Sequence, residues 1–359
     1  MVSEQPTFEV HQAEGAFEAI ESHLRAAGFF GRASTAGTCA DVYFGYGLSE
    51  PLRRSPAPAR SEPAALPLAA CRLRTDDPKM PAAGEFSVGA WETTWPAQDY
   101  GRAVGLAREA IADGEVYQVN LVQHLSAPFA GDPAGVARAL ASFAPLHPRP
   151  LVGHGWAIVS ATPELFLARR GRRIWTMPIK GTRPSGEAAE LRASGKDAAE
   201  HVMIVDLERN DLGRICEPGS VRWPELMAAR SMAGVEHLVS LVEGVVRAEV
   251  GFAEALRAMF PGGSVTGAPK IAALDHINAL EPVGRGASMG ALGTVWPNGD
   301  FELALTIRTF AMADGRIHLW AGGGVVWDSE ATAEVEESWV KARPLLAAIR
   351  AASRTRVAA

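Results

Sequence analysis

From about Trp91 onward, apolar and polar positions divide the chain into short strands and amphipathic helices. Residues 97–113 have helical spacing, with Tyr100, Val104, Ala107, Ala110 and Ile111 on one side and Gly114 as the stop. Residues 116–124 alternate with period two, the pattern of a half-buried strand. Residues 133–143 predict a second helix, and 154–160 and 164–169 two strands around a turn at Thr162-Pro163. The strand-like run 173–176 leads into Met177-Pro178-Ile179-Lys180-Gly181-Thr182-Arg183-Pro184. Its prolines predict a stiff, extended loop where that strand ends. Helices are expected at 188–214, 252–259 and 269–280, with a long closing helix at 330–351 and an earlier one at 16–27. Strands are expected at 287–295, 301–313 and 316–326, with hairpin signals at Asn298-Gly299-Asp300 and Asp314-Gly315. This order predicts an α+β fold with antiparallel sheets rather than a βαβ winding.

Composition narrows the function classes. The chain has 359 residues, 47% apolar and 21% charged, enough for two ordinary domains or one large one. Residues 51–68 are rich in Pro, Ala and Arg and read as a linker or exposed loop. Residues 1–90 are expected to be a short N-terminal region of the same fold as a 91–350 core, with 351–359 a tail. The net charge is -6 and the basic residues are scattered, which argues against a nucleic-acid partner. Cys39, Cys71 and Cys216 lie far apart and outside any metal spacing, as expected of reduced thiols. The N-terminus shows no signal-peptide pattern and no apolar run reaches the ~18 residues a membrane span needs, so a cytoplasmic protein is expected.

Several stretches could carry chemistry. Lys180 becomes a nucleophile if burial lowers its pKa, although a solvated loop lysine has the same sequence. Gly262-Gly263-Ser264-Val265-Thr266-Gly267-Ala268-Pro269-Lys270 lacks the Lys-Ser/Thr ending of a triphosphate loop. It still places Thr266, Gly267 and free N–H groups at a helix start, where a carboxylate would bind, unless it is a plain turn. Gly322, Gly323 and Gly324 stand at an expected strand start and call for either close ligand approach or tight sheet packing. Arg308, alternating with Ile307, suits a bidentate carboxylate contact or an exposed sheet face. Glu334 and Glu337 share one helix face, with Lys341 four further on, and Glu200 opens another helix. Such oxygen ligands suit Mg²⁺, as they also suit a solvated helix face. Glu164 would approach Lys180 if their strands form a hairpin, and an acid there could protonate a leaving hydroxide. His237, ringed by apolar residues, reads as either a core residue or a catalyst. No serine or cysteine nucleophile elbow appears, hence no glutaminase signature.

Taken in order, these segments resemble the chorismate-utilising enzymes over roughly residues 91–350. The match rests on Tyr117-Gln118-Val119-Asn120-Leu121, Thr162-Pro163-Glu164, Pro178 to Arg183, Glu200-His201 through Leu212, His237 to Ser240, Pro261 to Lys270, Ile307-Arg308, Gly322 to Gly324 and Glu334 to Lys341. The resemblance implies two orthogonally packed, mostly antiparallel sheets with helices outside. Anthranilate synthases of the family are expected to carry Ala where Lys180 stands, and aminodeoxychorismate synthases this lysine. Isochorismate and salicylate synthases use a lysine where this chain has Gln118.

The resemblance implies chorismate as substrate and Mg²⁺ held by Glu200, Glu334 and Glu337. It implies Thr266, Gly267, Arg308, Gly322, Gly323, Gly324 and Lys341 as substrate-binding residues, and Lys180, Glu164 and His237 as catalytic. Lys180 would add at ring C2 as the C4 hydroxyl leaves, and ammonia from a glutamine amidotransferase partner would then add at C4. Two departures stand out. Thr294 replaces a tyrosine that touches a carboxylate in relatives, and the N-terminal part lacks the start of the family's tryptophan pocket, so no tryptophan feedback site is expected.

Overall fold

The computed structural model describes residues 6–354 apart from 32–36, 77–81, 83, 185, 188, 191–194 and 233–234. The strands in chain order are β1 (Phe8–Val10), β2 (Thr38–Phe44), β3 (Ala69–Thr75), β4 (Phe86–Val88), β5 (Glu92–Thr93) and β6 (Gln118–Gly131). Then come β7 (Leu151–Val152), β8 (Trp156–Ser160), β9 (Leu165–Arg170), β10 (Arg173–Met177), β11 (Ile179–Pro184), β12 (Arg222–Met232) and β13 (Val235–Val245). The last are β14 (Gly267–Ala268), β15 (Ala291–Val295), β16 (Phe301–Leu305), β17 (Thr309–Ala313) and β18 (Arg316–Val325). The helices are α1 (Ala16–Ala26), α2 (Ala97–Ala112), α3 (Pro133–Ala139), α4 (Gly195–Gly213), α5 (Phe252–Met259), α6 (Lys270–Leu280) and α7 (Ala331–Ala352).

Two antiparallel sheets and their covering helices make the expected α+β fold. One sheet has the order β1-β3-β2-β15-β16-β9-β10-β13-β11, with β12 also on β13. The other runs β14-β6-β18-β17-β8-β7, with β4 and β5 added on β6. Helices α1 and α5 pack together on the first sheet's side, while α2, α3 and α7 cover the second. The periodicity of α2 is realised as read: Tyr100, Ala103, Val104, Ala107 and Ala110 are its buried face. A large apolar core draws on both sheets, and a smaller one lies where Val136, Leu140, Phe310, Leu319, Leu345 and Ile349 meet.

The structure corrects five local expectations. Lys180 is not on a loop: it sits in β11, paired with Leu238 of β13, because Ile179 to Pro184 finds a ladder partner. The stretch at Thr162-Pro163 is not a hairpin turn but a passage from β8 in the second sheet to β9 in the first. The expected strand 301–313 breaks into β16 and β17, since Arg308 adopts a left-handed φ of 50° where the chain passes back to the second sheet. The two passages are bonded to each other, Ala161 N donating to Arg308 O at 2.9 Å and Leu305 N to Glu164 O at 2.9 Å. The glycines 322–324 lie at the end of β18, not its start. Residues 51–68 are largely exposed but are no linker. Arg60 donates to the carbonyls of Asn278 and Ala279, and Gly286 N donates to Glu62, so this strap is fastened along α6.

Arg285 pins the loop before α6 to the second sheet. It is 1% exposed and forms a two-toothed pair with Glu281 at 2.9 and 2.6 Å. It also donates to Val265 O and Asn120 O at 2.9 and 2.7 Å and lies over the Tyr46 ring. Arg285→Met strands the buried Glu281 charge and is expected to cost about 3–5 kcal/mol. Urea unfolding monitored by circular dichroism measures this; an unchanged midpoint would contradict it.

Candidate active site

Lys180 reaches inward from β11. Its Nζ donates to Glu200 Oε1 at 2.8 Å and to Ser264 O at 3.4 Å. Burial alone would lower its pKa, but Glu200, Glu164 and Glu208 together raise it above the ordinary lysine value. The condition set for a nucleophile is therefore not met at rest: Lys180 is an ammonium, held so chiefly by Glu200. Glu200 lies in the second turn of α4 rather than opening it. Burial would raise its pKa, but Lys180, Lys341 and Gln118 bring it below the ordinary carboxylate value. Gln118 Nε2 donates to the same Oε1 at 3.0 Å.

Glu164, 6% exposed, stands at the sheet passage next to β9. Its Oε1 accepts from Ser264 Oγ at 2.9 Å and Ile179 N at 3.5 Å. Burial raises its pKa, and Lys180, Ser264, Ile179 and Arg308 offset this only in part. A carboxyl held up in this way suits a proton donor. Arg308, at the other passage, acts on both Glu164 and His237. His237 is buried on β13, and its Nδ1 lies 2.9 Å from Gly181 O. It grips the backbone just after Lys180 and so positions that strand, and burial lowers its pKa.

The glycine run brings the remaining carboxylates in. A Cβ on Gly323 would lie 2.9 Å from Glu337 Oε1, 3.3 Å from Lys341 Nζ and 3.4 Å from Glu334 Oε2. One on Gly324 would lie 1.8 Å from Gln118 Nε2 and 3.1 Å from Glu200 Oε1. The missing side chains thus leave a cradle at which three carboxylates converge. Lys341 Nζ donates to Glu337 Oε1 at 2.7 Å and Gly322 O at 2.8 Å, and Glu334 Oε1 accepts from Ser329 Oγ at 2.6 Å. Hard oxygen donors round a cradle fit Mg²⁺ in kind. As they stand, no three His, Cys, Asp or Glu side chains among the described residues are gathered tightly enough to hold a metal.

Thr266 and Gly267 lie behind this cradle. The Thr266 hydroxyl gives its proton to Gly262 O at 2.9 Å, so the loop itself uses that donor. Gly267, at φ 136°, lets the loop pack on β6: a Cβ there would meet Gln118 O at 2.2 Å. Thr294 faces away toward the N-terminal strands, donating to Asp41 Oδ1 at 3.1 Å.

The family model for chorismate binding enzymes matches residues 51–347. The chain belongs to the chorismate binding enzyme family. Among its curated relatives, an anthranilate synthase component 1 of Streptomyces coelicolor is 39% identical over 85% of this chain. An aminodeoxychorismate synthase component 1 of Klebsiella aerogenes is 40% identical over 74% of it. The matched segments cover 59% and 61% of those proteins, so the chain spans about three fifths of their length. The anthranilate synthase component I of Streptococcus pneumoniae superposes with a TM-score of 0.84 over 96% of this chain and 90% of that one. At 24% identity this establishes the shared fold. No helix among the described residues is long and apolar enough to cross a membrane.

Within this family fold, sequence reasoning missed Ser264, Gln118 as a holder of Glu200, and Glu208. Ser264 lay inside the flagged glycine loop. Glu208 and Asp211 show the same three-residue spacing as Glu334 and Glu337, but stood within the resembling segment Glu200 to Leu212 without being singled out.

Proposed function

We propose that the chain aminates chorismate at C4 to give 4-amino-4-deoxychorismate, in the manner of an aminodeoxychorismate synthase component 1. One observation carries this reading: Lys180 points into the same buried cluster as Glu164, Ser264 and Glu200, at a position where anthranilate synthases are expected to carry alanine. Near-equal identity to relatives of both names does not separate the two reactions.

Lys180 first passes one proton to Glu200, the carboxylate that accepts its hydrogen bond at 2.8 Å. Its free amine adds at ring C2 while the C4 hydroxyl departs, taking the Glu164 proton and leaving as water. Ammonia then bonds to C4 and the C2–nitrogen bond breaks, releasing Lys180 as a free amine that takes its proton back from Glu200. The new C4 ammonium passes a proton to the Glu164 carboxylate, which restores the acid. Arg308 and the backbone at Gly322 to Gly324 orient the substrate carboxylates, and His237 keeps Lys180 in register. Glu200, Glu334 and Glu337 would hold Mg²⁺, which when bound neutralises the ring carboxylate and draws electrons from the ring. Ammonia would come from a glutamine amidotransferase partner, consistent with the "component 1" in the relatives' names.

The second reading, anthranilate synthesis, is favoured by the 39% identity to an anthranilate synthase component 1. It differs in releasing pyruvate. Chorismate, ammonium and Mg²⁺ are expected to give aminodeoxychorismate with no pyruvate until a lyase is added. Stoichiometric pyruvate without lyase would replace the first reading by the second.

A further inference from the structure

Behind Glu164 lies a second buried carboxyl that the chemistry above does not use. Glu208, on α4, is 5% exposed. Its Oε2 accepts from Thr176 Oγ1 of β10 at 3.3 Å. The ionisable neighbours that act on it are Glu164 at the start of β9, Asp211 on its own helix and Lys270 on α6, while Lys180 of β11 in turn feels Glu208. The nearby lysines are already engaged: Lys270 with Asp211 at 2.6 Å and Lys180 with Glu200 at 2.8 Å. Met177 pairs with Leu165 across β9 and β10, so Thr176, which holds Glu208, and Glu164 flank that pair on the same face of the sheet, and two buried carboxyls so placed do not both ionise.

We propose that Glu208 is the proton reserve of Glu164, acting through it rather than touching substrate. This rests on the acid role given to Glu164 above. When Glu164 has protonated the departing hydroxyl, Glu208 passes its proton to the Glu164 carboxylate and becomes the charged member of the pair. Glu164 then hands that proton back to Glu208 and, a carboxylate again, takes the one shed by the new C4 ammonium, so both carboxyls end as they began. No proton is gained or lost over the cycle, and the charge in the cluster moves from one carboxyl to the other. Burial, reinforced by Glu164, raises the Glu208 pKa from its ordinary 4.5 to about 8, so the reserve is loaded at neutral pH. A raised acid pKa means that the proton favours the folded state. That contribution is complete below the ordinary carboxylate pKa and is lost as pH rises through about 8.

Glu208→Gln keeps the size and the bond to Thr176 but carries no transferable proton. It is expected to lower kcat for ammonium-dependent chorismate consumption about tenfold or more, with KM unchanged. It should also abolish the alkaline limb expected of the wild type near pH 8. Thr176→Val removes a bond that lowers the Glu208 pKa, so its alkaline limb should move to higher pH. A merely structural role would shift Tm but leave these limbs in place. Wild-type kcat and pH profile in Glu208→Gln, or an unmoved limb in Thr176→Val, would overturn the proposal. The infrared spectrum of the resting protein at pH 7 separates this from the function assigned above. A carboxylic-acid carbonyl band present in the wild type and lost in Glu208→Gln supports a loaded reserve whatever the product. If no band is lost, the proposal fails even in an active enzyme, whereas a lost band with no chorismate turnover would fail the functional reading alone.

Discussion

Lys180→Ala is expected to abolish aminodeoxychorismate formation, with kcat falling by at least about a thousandfold. The size of the loss follows from geometry. Lys180 Nζ is within hydrogen-bond reach of Glu200 and Ser264, and Glu164 senses its charge. No other lysine reaches this cluster from the first sheet among the described residues: Lys270 is committed to Asp211, and Lys341 stands on the far wall with Glu337. Glu200 would keep Gln118 as a direct partner and Lys341 as a nearby charge, so the variant should fold. Circular dichroism and chorismate binding by calorimetry serve as controls, and chromatography of the products is the readout. A folded, chorismate-binding variant that still makes aminodeoxychorismate at the wild-type rate would end the nucleophile assignment. Anthranilate appearing as the new product would show that the site determines the outcome through this side chain.

The second large effect belongs to the glycines, and its two parts separate stability from binding. A Cβ on Gly322 would lie 1.8 Å from Leu121 O and 2.7 Å from Val122 Cα, both backbone atoms of β6. Neither can swing aside, so Gly322→Ala must part β18 from β6 and is expected to cost about 2–4 kcal/mol. A Cβ on Gly323 meets only the ends of Glu337, Lys341 and Glu334, which can move. Gly323→Ala is therefore expected to leave the melting temperature almost unchanged while weakening Mg²⁺ and chorismate binding at least about tenfold, since the cradle is filled. Thermal melts and titration calorimetry on both variants make the comparison. Equal loss of stability in the two would refute the division of roles.

Much of the fold was legible because its elements follow local rules. Helix α2 carries its apolar face at the read spacing, and the Asn298-Gly299 and Asp314-Gly315 turns take positive φ at the glycines. What the sequence hid were the changes of sheet. The large apolar positions shift from Phe301, Leu303, Leu305 and Ile307 to Phe310 and Met312, and this change of phase is the one mark of the turn at Arg308, masked because both strands are largely buried. Lys180 was placed on a loop because prolines flank it, yet its backbone pairs with Leu238, some sixty residues later in the chain. The direction of its pKa was not legible for a related reason: burial is suggested by local composition, but the overriding Glu200 carboxylate comes from a separate helix. Glu334 and Glu337 were found by their spacing. Glu208 was passed over in a charged run, because helical spacing does not say which side of α4 meets the sheet.

The two strand passages have a mechanical consequence. Relative motion of two sheets is least where the chain crosses directly between them, and the two short crossings, β8 to β9 and β16 to β17, lie side by side and are bonded to each other. Glu164 and Arg308 stand at this pivot, so their separation is set by the backbone hydrogen bonds that join the two passages. The carboxylates of α4 and α7 meet the glycine run only through side chains and have a longer lever arm. The acid and the arginine are the fixed side of the site, and the carboxylate wall meets the glycine run through side-chain ends, the part with room to adjust.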